Sequence, residues 1–151
     1  MGINAQNKGK TGEREIANKL RVISAVVGRR LGYTEERLSI LREEVQRNQN
    51  QSAVGGCDIA VFGLAIEVKR QENLSVRKWW MQTVKSASDL NSIPILIYRQ
   101  NRGKWHVVVE SIVPTTGDKG IRVISTIEEE TFYVWLEHYL YYYLPSFFAS
   151  R

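Results

Sequence analysis

The stretch GCDIAVFGLAIEVK at residues 56–69 decides how this chain folds. Two runs rich in apolar and β-branched residues flank Phe62-Gly63, and a glycine supplies the positive φ that a tight hairpin turn needs. The stretch therefore predicts a β-hairpin with Phe62-Gly63 as its loop. The cross-strand pairs of this hairpin are then Val61 with Leu64, Ala60 with Ala65, Ile59 with Ile66, and Asp58 with Glu67.

The predicted register separates the side chains of the hairpin by chemistry, because side chains alternate between the two faces of a sheet. One face is apolar and carries Cys57, Ile59, Val61, Leu64, Ile66 and Val68. The other face carries Asp58, Ala60, Ala65, Glu67 and Lys69. A slip of one residue would mix the two sets, so this separation supports the pairing.

The polar face places two carboxylates opposite one another, with Cβ atoms about 5 Å apart in a direct cross-strand pair. Asp58 and Glu67 repel each other at that distance unless a cation lies between them, and Mg²⁺ binds through one or two carboxylates, waters and phosphate oxygens. Lys69 projects from the same face and can hold a water beside the ion. The alternative is a structural one, in which Asp58 caps the strand and Glu67 with Lys69 forms a solvated face.

Asp58 followed by Glu67-Val68-Lys69 resembles the core of the PD-(D/E)XK nucleases. Cys57 stands where the proline of that motif is found, a position that varies in the superfamily. The resemblance implies an α/β, restriction-endonuclease-like fold, in which a central mixed β-sheet is flanked by helices. It also implies hydrolysis of DNA phosphodiesters with Mg²⁺, for which Mn²⁺ can substitute, held by Asp58, Glu67 and the Val68 carbonyl.

A helix is predicted to begin near Thr11, with Glu13 and Glu15 in its first turn, where the helix dipole favours acids. Its apolar stripe, extended backwards by helical spacing, reaches Glu13 and not Glu15. Capping alone explains Glu13, but an acid on the core-facing stripe can also add a ligand to a metal site. The residues of the stripe are Ile16, Ala17, Leu20, Ile23 and Val27.

The run Lys8-Gly9-Lys10-Thr11-Gly12-Glu13-Arg14-Glu15 is similar to the start of archaeal-type Holliday junction resolvases and related phage nucleases. In that family the first glutamate of the run joins the active site, which implies a catalytic role for Glu13. The resemblance covers roughly residues 8 to 110. It implies branched DNA as the substrate, a four-way junction cut symmetrically by a homodimer.

Composition agrees with a nucleic-acid partner and one domain spanning residues 1–151. The chain has a formal net charge of +5 and a pI near 9.4, which suits a polyanion. A single cysteine excludes an internal disulfide framework, and no apolar run is long enough to span a membrane. These features predict a cytoplasmic protein. The expected DNA contacts are Lys8 and Lys10 on a flexible basic arm (residues 1–10), Arg14, Arg70 and Lys78.

The rest of the chain predicts further helices and strands. Residues 34–47 are ambiguous between helix and strand, and 48–55 read as a mobile loop. A helix capped by Ser75 would carry Val76, Trp80, Val84 and Ala87 on its core stripe. In many nucleases of the superfamily that this chain resembles, a glutamine on this helix lies at the rim of the catalytic site, and Gln82 resembles it; the alternative is an ordinary surface glutamine. Strands are predicted at 95–99, 105–110 and 121–126. An aromatic helix at 127–144, ended by Pro145, is the candidate dimer interface.

Two other functions remain open at this point. The chain can be a nuclease for linear or flapped DNA in repair, restriction or phage DNA degradation, or a DNA-binding module that kept the fold and lost cleavage. The four residues Glu13, Asp58, Glu67 and Lys69 count against the second. His106 and His138 lack metal-ligand spacing, which disfavours zinc and histidine-based nucleases.

Overall fold

The computed structural model describes the backbone of residues 2–55 and 57–151 and the side chains of 8–45 and 57–151. Four helices and five strands make up this part of the chain. The helices are α1 (Gly2–Arg30), α2 (Glu35–Gly55), α3 (Val76–Asp89) and α4 (Glu129–Ala149). The strands are β1 (Ile59–Val61), β2 (Leu64–Arg70), β3 (Ile93–Arg99), β4 (His106–Val113) and β5 (Ile121–Glu128).

The strands form one mixed sheet in the order β1-β2-β3-β4-β5. Strands β2 and β3 are parallel and are joined through α3, as a parallel pair requires a crossover connection. The other neighbouring pairs are antiparallel. A mixed sheet with helices packed on it confirms the predicted restriction-endonuclease-like fold.

Each face of the sheet is covered differently. Helices α1, α2 and α4 pack on one face of the sheet and enclose the main core between them and that face. Their buried residues therefore recur at helical spacing. Helix α3 covers part of the other face, where Trp79 and Trp80 pack on Leu96 and Val108. The main core includes Ile16, Leu20, Leu41, Ile59, Ile66, Val68, Ile97, Val107, Phe132, Leu136 and Leu140.

The predicted hairpin register is confirmed for the three pairs from Ile59–Ile66 to Val61–Leu64. Phe62 (φ 53°) and Gly63 (φ 72°) both adopt positive φ, the geometry of a two-residue primed turn. The Tyr139 hydroxyl donates a hydrogen bond to the Phe62 carbonyl at 2.7 Å and so fixes the turn to α4. The alternation of apolar and polar residues therefore predicted the pairing of these two strands correctly.

The predicted alternation fails at Cys57. Because β1 begins only at Ile59, Cys57 and Asp58 lie outside the ladder and are not bound by its period of two. Cys57 packs with Ala65 and Ala87 rather than with the apolar face of the hairpin. Asp58 is likewise no ladder partner of Glu67, so another contact must orient its carboxylate.

Predictions for the N-terminal third need correction. Helix α1 begins at Gly2, not near Thr11, so the expected flexible arm has helical backbone. Residues 35–47 belong to α2, anchored by Leu38, Leu41 and Val45 in the core. Helix α2 continues to Gly55 through the expected loop, because no proline interrupts it.

The C-terminal helices also differ in detail from the prediction. In α3 the buried residues are Trp79, Trp80, Thr83 and Ala87, whereas Val84 is 36% exposed. Helix α4 starts at Glu129 because β5 extends to Glu128, and it continues past Pro145 instead of ending there. Phe147 and Phe148 pack against the core beyond the proline, which offsets the hydrogen bond that a proline removes. Within the described residues, no helix is long and apolar enough to cross a membrane.

Candidate active site

Asp58 lies in the turn that precedes β1, and a backbone contact orients it. Its Oδ2 accepts a hydrogen bond from the Val68 amide at 2.7 Å, so the aspartate is bound to the strand that carries the Glu67-Val68-Lys69 motif. The pKa of Asp58 is raised to about 6, mainly by burial and also by the negative charge of Glu13, while the hydrogen bond from the Val68 amide and the charge of Lys69 act in the opposite direction. The Val68 amide therefore holds the Asp58 carboxylate in one orientation.

Glu67 is the acid on the catalytic strand. It is only 8% exposed, and its Oε1 lies 2.7 Å from the Lys69 Nζ. The pKa of Glu67 is raised by burial and then by the charge of Asp58, while Lys69 lowers it. The two motif residues therefore form a partly buried ion pair beside a second carboxylate.

Glu13 reaches the same place from α1. Its carboxyl forms a hydrogen bond with that of Asp58, and the charges of Glu67, Lys69 and Lys10 act on it. Burial is the main reason that the pKa of Glu13 is raised. The stripe argument from the sequence therefore placed this glutamate correctly, beside the hairpin acids.

Glu15 lies in a different environment, which no local sequence pattern indicates. Since α1 begins at Gly2, Glu15 is not an acid of the first helical turn. Its Oε1 accepts a hydrogen bond from the Trp105 indole at 3.0 Å, and its Oε2 lies 3.6 Å from Arg99. The Arg99 guanidinium in turn lies 4.5 Å from the centre of the Trp105 ring. This Glu15–Trp105–Arg99 cluster attaches α1 to the sheet one helical turn away from the catalytic acids.

Gly12 allows α1 to approach the sheet closely. A Cβ on Gly12 would lie 3.2 Å from the Trp105 Cη2 and 3.6 Å from a methyl group of Val68. The first distance is shorter than an ordinary van der Waals contact, so a larger residue would push the helix outward. The glycine and the cluster together hold α1 near enough for the Glu13 side chain to reach Asp58.

The residues expected to contact DNA lie around these acids without forming part of the cluster. Lys8, Lys10 and Arg14 are on α1 and are exposed, and Lys78 is exposed on α3. Arg70 ends β2; its Nε is buried and has no hydrogen-bond partner among the described residues. Four of these cations therefore lie on α1 and β2, the elements that carry Glu13 and Glu67, whereas Lys78 lies on α3, which carries none of the acids.

Gln82 is not brought to the site. It is exposed on α3, whose buried side is formed by other residues, and no described contact joins it to the acids. The buried residues Trp79, Trp80, Thr83 and Ala87 leave position 82 on the exposed side of α3. The rim position was expected from the resemblance to the superfamily and not from the stripe.

The donor set fits a hard divalent cation. Asp58 and Glu67 offer carboxylate oxygens, Val68 offers the carbonyl that follows Glu67 in the chain, and such oxygen ligands suit Mg²⁺. Three carboxyls with raised pKa values meet two ammonium groups, that of Lys69 and that of Lys10, which acts on Glu13, so negative charge is in excess. No group of three or more His, Cys, Asp or Glu side chains that could hold a metal ion is found in the described ranges. Two carboxylates and a backbone carbonyl are therefore the protein donors that could hold such an ion.

Comparison with known families identifies this arrangement. The model of the family described as "Phage putative PDDEXK endonuclease" matches residues 4–135, which include all three acids and Lys69. The chain belongs to this family of phage endonucleases. The PD-(D/E)XK interpretation of the hairpin is confirmed, whereas the match gives no support to the narrower resemblance to archaeal-type junction resolvases.

A curated relative agrees with the phage assignment. Protein D14 of Escherichia phage T5 is 22% identical over 159 residues, an alignment that covers 91% of this chain and 95% of that protein. No solved structure matches the chain. Family membership implies nuclease activity, and with it a nucleic-acid partner and the divalent metal ion that PD-(D/E)XK nucleases generally use.

Proposed function

We propose that this protein is a Mg²⁺-dependent endodeoxyribonuclease whose site consists of Glu13, Asp58, Glu67 and Lys69. The observation that carries the proposal is the contact between Glu13 and Asp58 beside the Glu67–Lys69 ion pair. Helix α1 has no structural need to direct an acid at another acid, because the contact is repulsive when both are ionised. A cation bound between the two acids would remove this repulsion.

Asp58, Glu67 and the Val68 carbonyl would hold Mg²⁺, with Mn²⁺ able to substitute. A bound divalent ion would neutralise charge on the scissile phosphate and lower the pKa of a coordinated water. The Val68 amide keeps the Asp58 carboxylate in one orientation through its 2.7 Å hydrogen bond. Glu13 lies beside the same carboxyl, where it would complete the site directly or through a water.

Lys69 has the geometry to act on the attacking water. Its ammonium is 2.7 Å from Glu67 and retains further N–H groups for a water or a phosphate oxygen. From there it orients the water and stabilises the negative charge that develops on the phosphate. Glu67 keeps the ammonium in place when the site is empty of substrate.

The substrate we propose is branched DNA, with nuclease action on linear or flapped DNA as the second candidate. The cations around the site lie on two helices and a strand end, where they can contact phosphates without reading base edges. Contacts of that kind recognise backbone shape. The residues are Lys8, Lys10, Arg14, Arg70 and Lys78.

The test is to incubate the purified protein with Mg²⁺, Mn²⁺ or EDTA and a four-way junction, a flap, a linear duplex or a single strand. Asp58→Asn serves as the matched inactive control. We expect metal-dependent cleavage that is fastest on the junction. Equal rates on junction and duplex would exclude a preference for branched DNA. Binding of DNA without cleavage of any of the four substrates would overturn the proposed nuclease activity.

A further inference from the structure

Strand β5 is a free edge of the sheet. It spans eight residues, Ile121–Glu128, and pairs with β4 along its whole length. No backbone hydrogen bond joins its outer side to another described residue. Natural proteins protect such edges with lysine, proline, bulges or a covering helix, since an open edge invites pairing with another chain.

Apart from the charges of Arg122 and Glu128, β5 has no such protection among the described residues. The strand has neither lysine nor proline, and it exposes two large apolar side chains, Ile121 at 59% and Ile124 at 61%. Ile112 on β4 pairs with Arg122 and is 68% exposed on the same face as Ile124. Helix α3 covers Leu96 and Val108 but does not cover these outer positions. The exposed edge is therefore apolar as well as unpaired.

The charges on β5 are arranged so that the strand is complementary to itself. Arg122 and Glu128 are exposed, lie on the same face as Ile124, and form no ion pair with any other residue in the described part of the chain. When two copies of the strand run antiparallel with Ser125 opposite Ser125, each Arg122 lies opposite the partner's Glu128. Ile124 then lies opposite the partner's Thr126, and Val123 opposite the partner's Ile127.

We propose that β5 is the interface for a second copy of this chain, paired antiparallel about Ser125. A shift of the centre to residue 124 or to residue 126 would separate both charged pairs. A shift by a single residue would turn the exposed face of one copy toward the helical layer of the other. The register centred on Ser125 is the one that pairs Arg122 with Glu128 in both directions and Val123 with Ile127.

This interface has a consequence for cleavage, and that consequence rests on the proposed nuclease function. Glu67, Leu96, Val108 and Thr126 form one cross-strand row, so the catalytic glutamate shares a face with the β5 residues. Antiparallel addition in this register places the two-fold axis perpendicular to the sheet. The two five-stranded sheets become one, and both catalytic sites open on the same side, as two cuts in one DNA molecule require.

The first experiment measures the oligomeric state by sedimentation, over a range of concentrations, in the Asp58→Asn protein, which removes any dependence on cleavage. Arg122→Glu and Glu128→Arg should each weaken dimerisation at least tenfold, and the double variant should recover it. Glu110→Arg is the matched control, because Glu110 is exposed on the same face but one strand away from the edge. Equal dimerisation in all variants would place the interface elsewhere and overturn the proposal.

The second experiment tests the register. Ser125→Cys should form an intermolecular disulfide under mild oxidation, since directly opposed Cα atoms in an antiparallel pair lie about 4.5–5.5 Å apart, within the range of a disulfide. Ser111→Cys on β4 is the control and should not cross-link, and the native Cys57 is buried. A monomer that forms no cross-link at Ser125 would overturn the interface, whereas an active nuclease in the same preparation would leave the proposed function intact.

Discussion

The two edges of the sheet differ in every respect that controls pairing. Strand β1 has three residues, and its Ile59 and Val61 are 0% and 4% exposed. Strand β5 has eight residues and leaves Ile121 and Ile124 more than half exposed. Helix α2 contacts β1, whereas no helix covers the outer face of β5 among the described residues.

The difference shows how one sheet serves two purposes. At the β1 edge the surrounding helices hold the hairpin rigidly, so that Asp58, Glu67 and Glu13 keep their positions despite mutual repulsion. At the β5 edge the fold does not bury the apolar residues that it presents, which is the pattern of a surface that meets a partner. Substitutions at the catalytic edge and at the open edge should therefore have different effects on activity, stability and dimerisation.

The largest effect is expected at Asp58. Asp58→Asn should abolish cleavage, because the amide is a poor metal ligand and cannot replace the carboxylate that Val68 orients. DNA binding should persist or improve, since a charge that repels phosphate is removed. Cleavage assays and fluorescence anisotropy on the same substrate check both halves, and wild-type cleavage by this variant would show that the site lies elsewhere.

Glu13→Gln should lower the cleavage rate by orders of magnitude, because Glu13 contacts Asp58. Glu15→Gln keeps an acceptor for the Trp105 indole but removes the charge that faces Arg99, so it should cost about 1 kcal/mol of stability and much less activity. Rates at saturating metal and urea unfolding give the two quantities. Equal losses of activity would mean that Glu13 acts only through the position of α1.

A matched pair of truncations compares the two edges directly. Ile59→Ala should lower the free energy of unfolding by about 2–5 kcal/mol, because it leaves a cavity in the main core. Ile124→Ala should change it by no more than about 0.5 kcal/mol in the monomer, since that side chain is 61% exposed. Urea titrations at protein concentrations well below the dimer dissociation constant test this. A large loss of unfolding free energy from Ile124→Ala would show that Ile124 is part of the monomer's core.

The last prediction concerns the stabilisation of the fold by metal. The pKa of Asp58 is raised to about 6, so the contribution of this group to stability is present below its ordinary value and is lost as the pH rises through about 6. Mg²⁺ should offset that loss by binding the ionised carboxylates of the folded state, by about 2.7 kcal/mol at a hundred times the dissociation constant. Thermal unfolding at pH 8 should show the shift in the wild type and a smaller one in Asp58→Asn.

The sequence alone determined the features that depend on local periodicity. Alternation by two located the hairpin, its turn and the Glu67-Val68-Lys69 strand, and helical spacing directed Glu13 rather than Glu15 toward the core. The spacing of these few residues was enough for the superfamily, which the family match confirms. Local rules succeed there because the burial of one face fixes both the register of the strands and the rotation of the helix.

The tertiary structure alone decided the features that depend on contacts between distant segments. The partners of Glu15 are Arg99 and Trp105, which lie far along the chain, and no local pattern signals them. Packing on Leu96 and Val108 buried Trp79 together with Trp80, and a short β1 released Cys57 from the alternation. Core contacts beyond Pro145 extended a helix that its sequence predicts should stop. In each case the energy of long-range packing exceeds the local preference of a few residues, so only the assembled fold reveals the outcome.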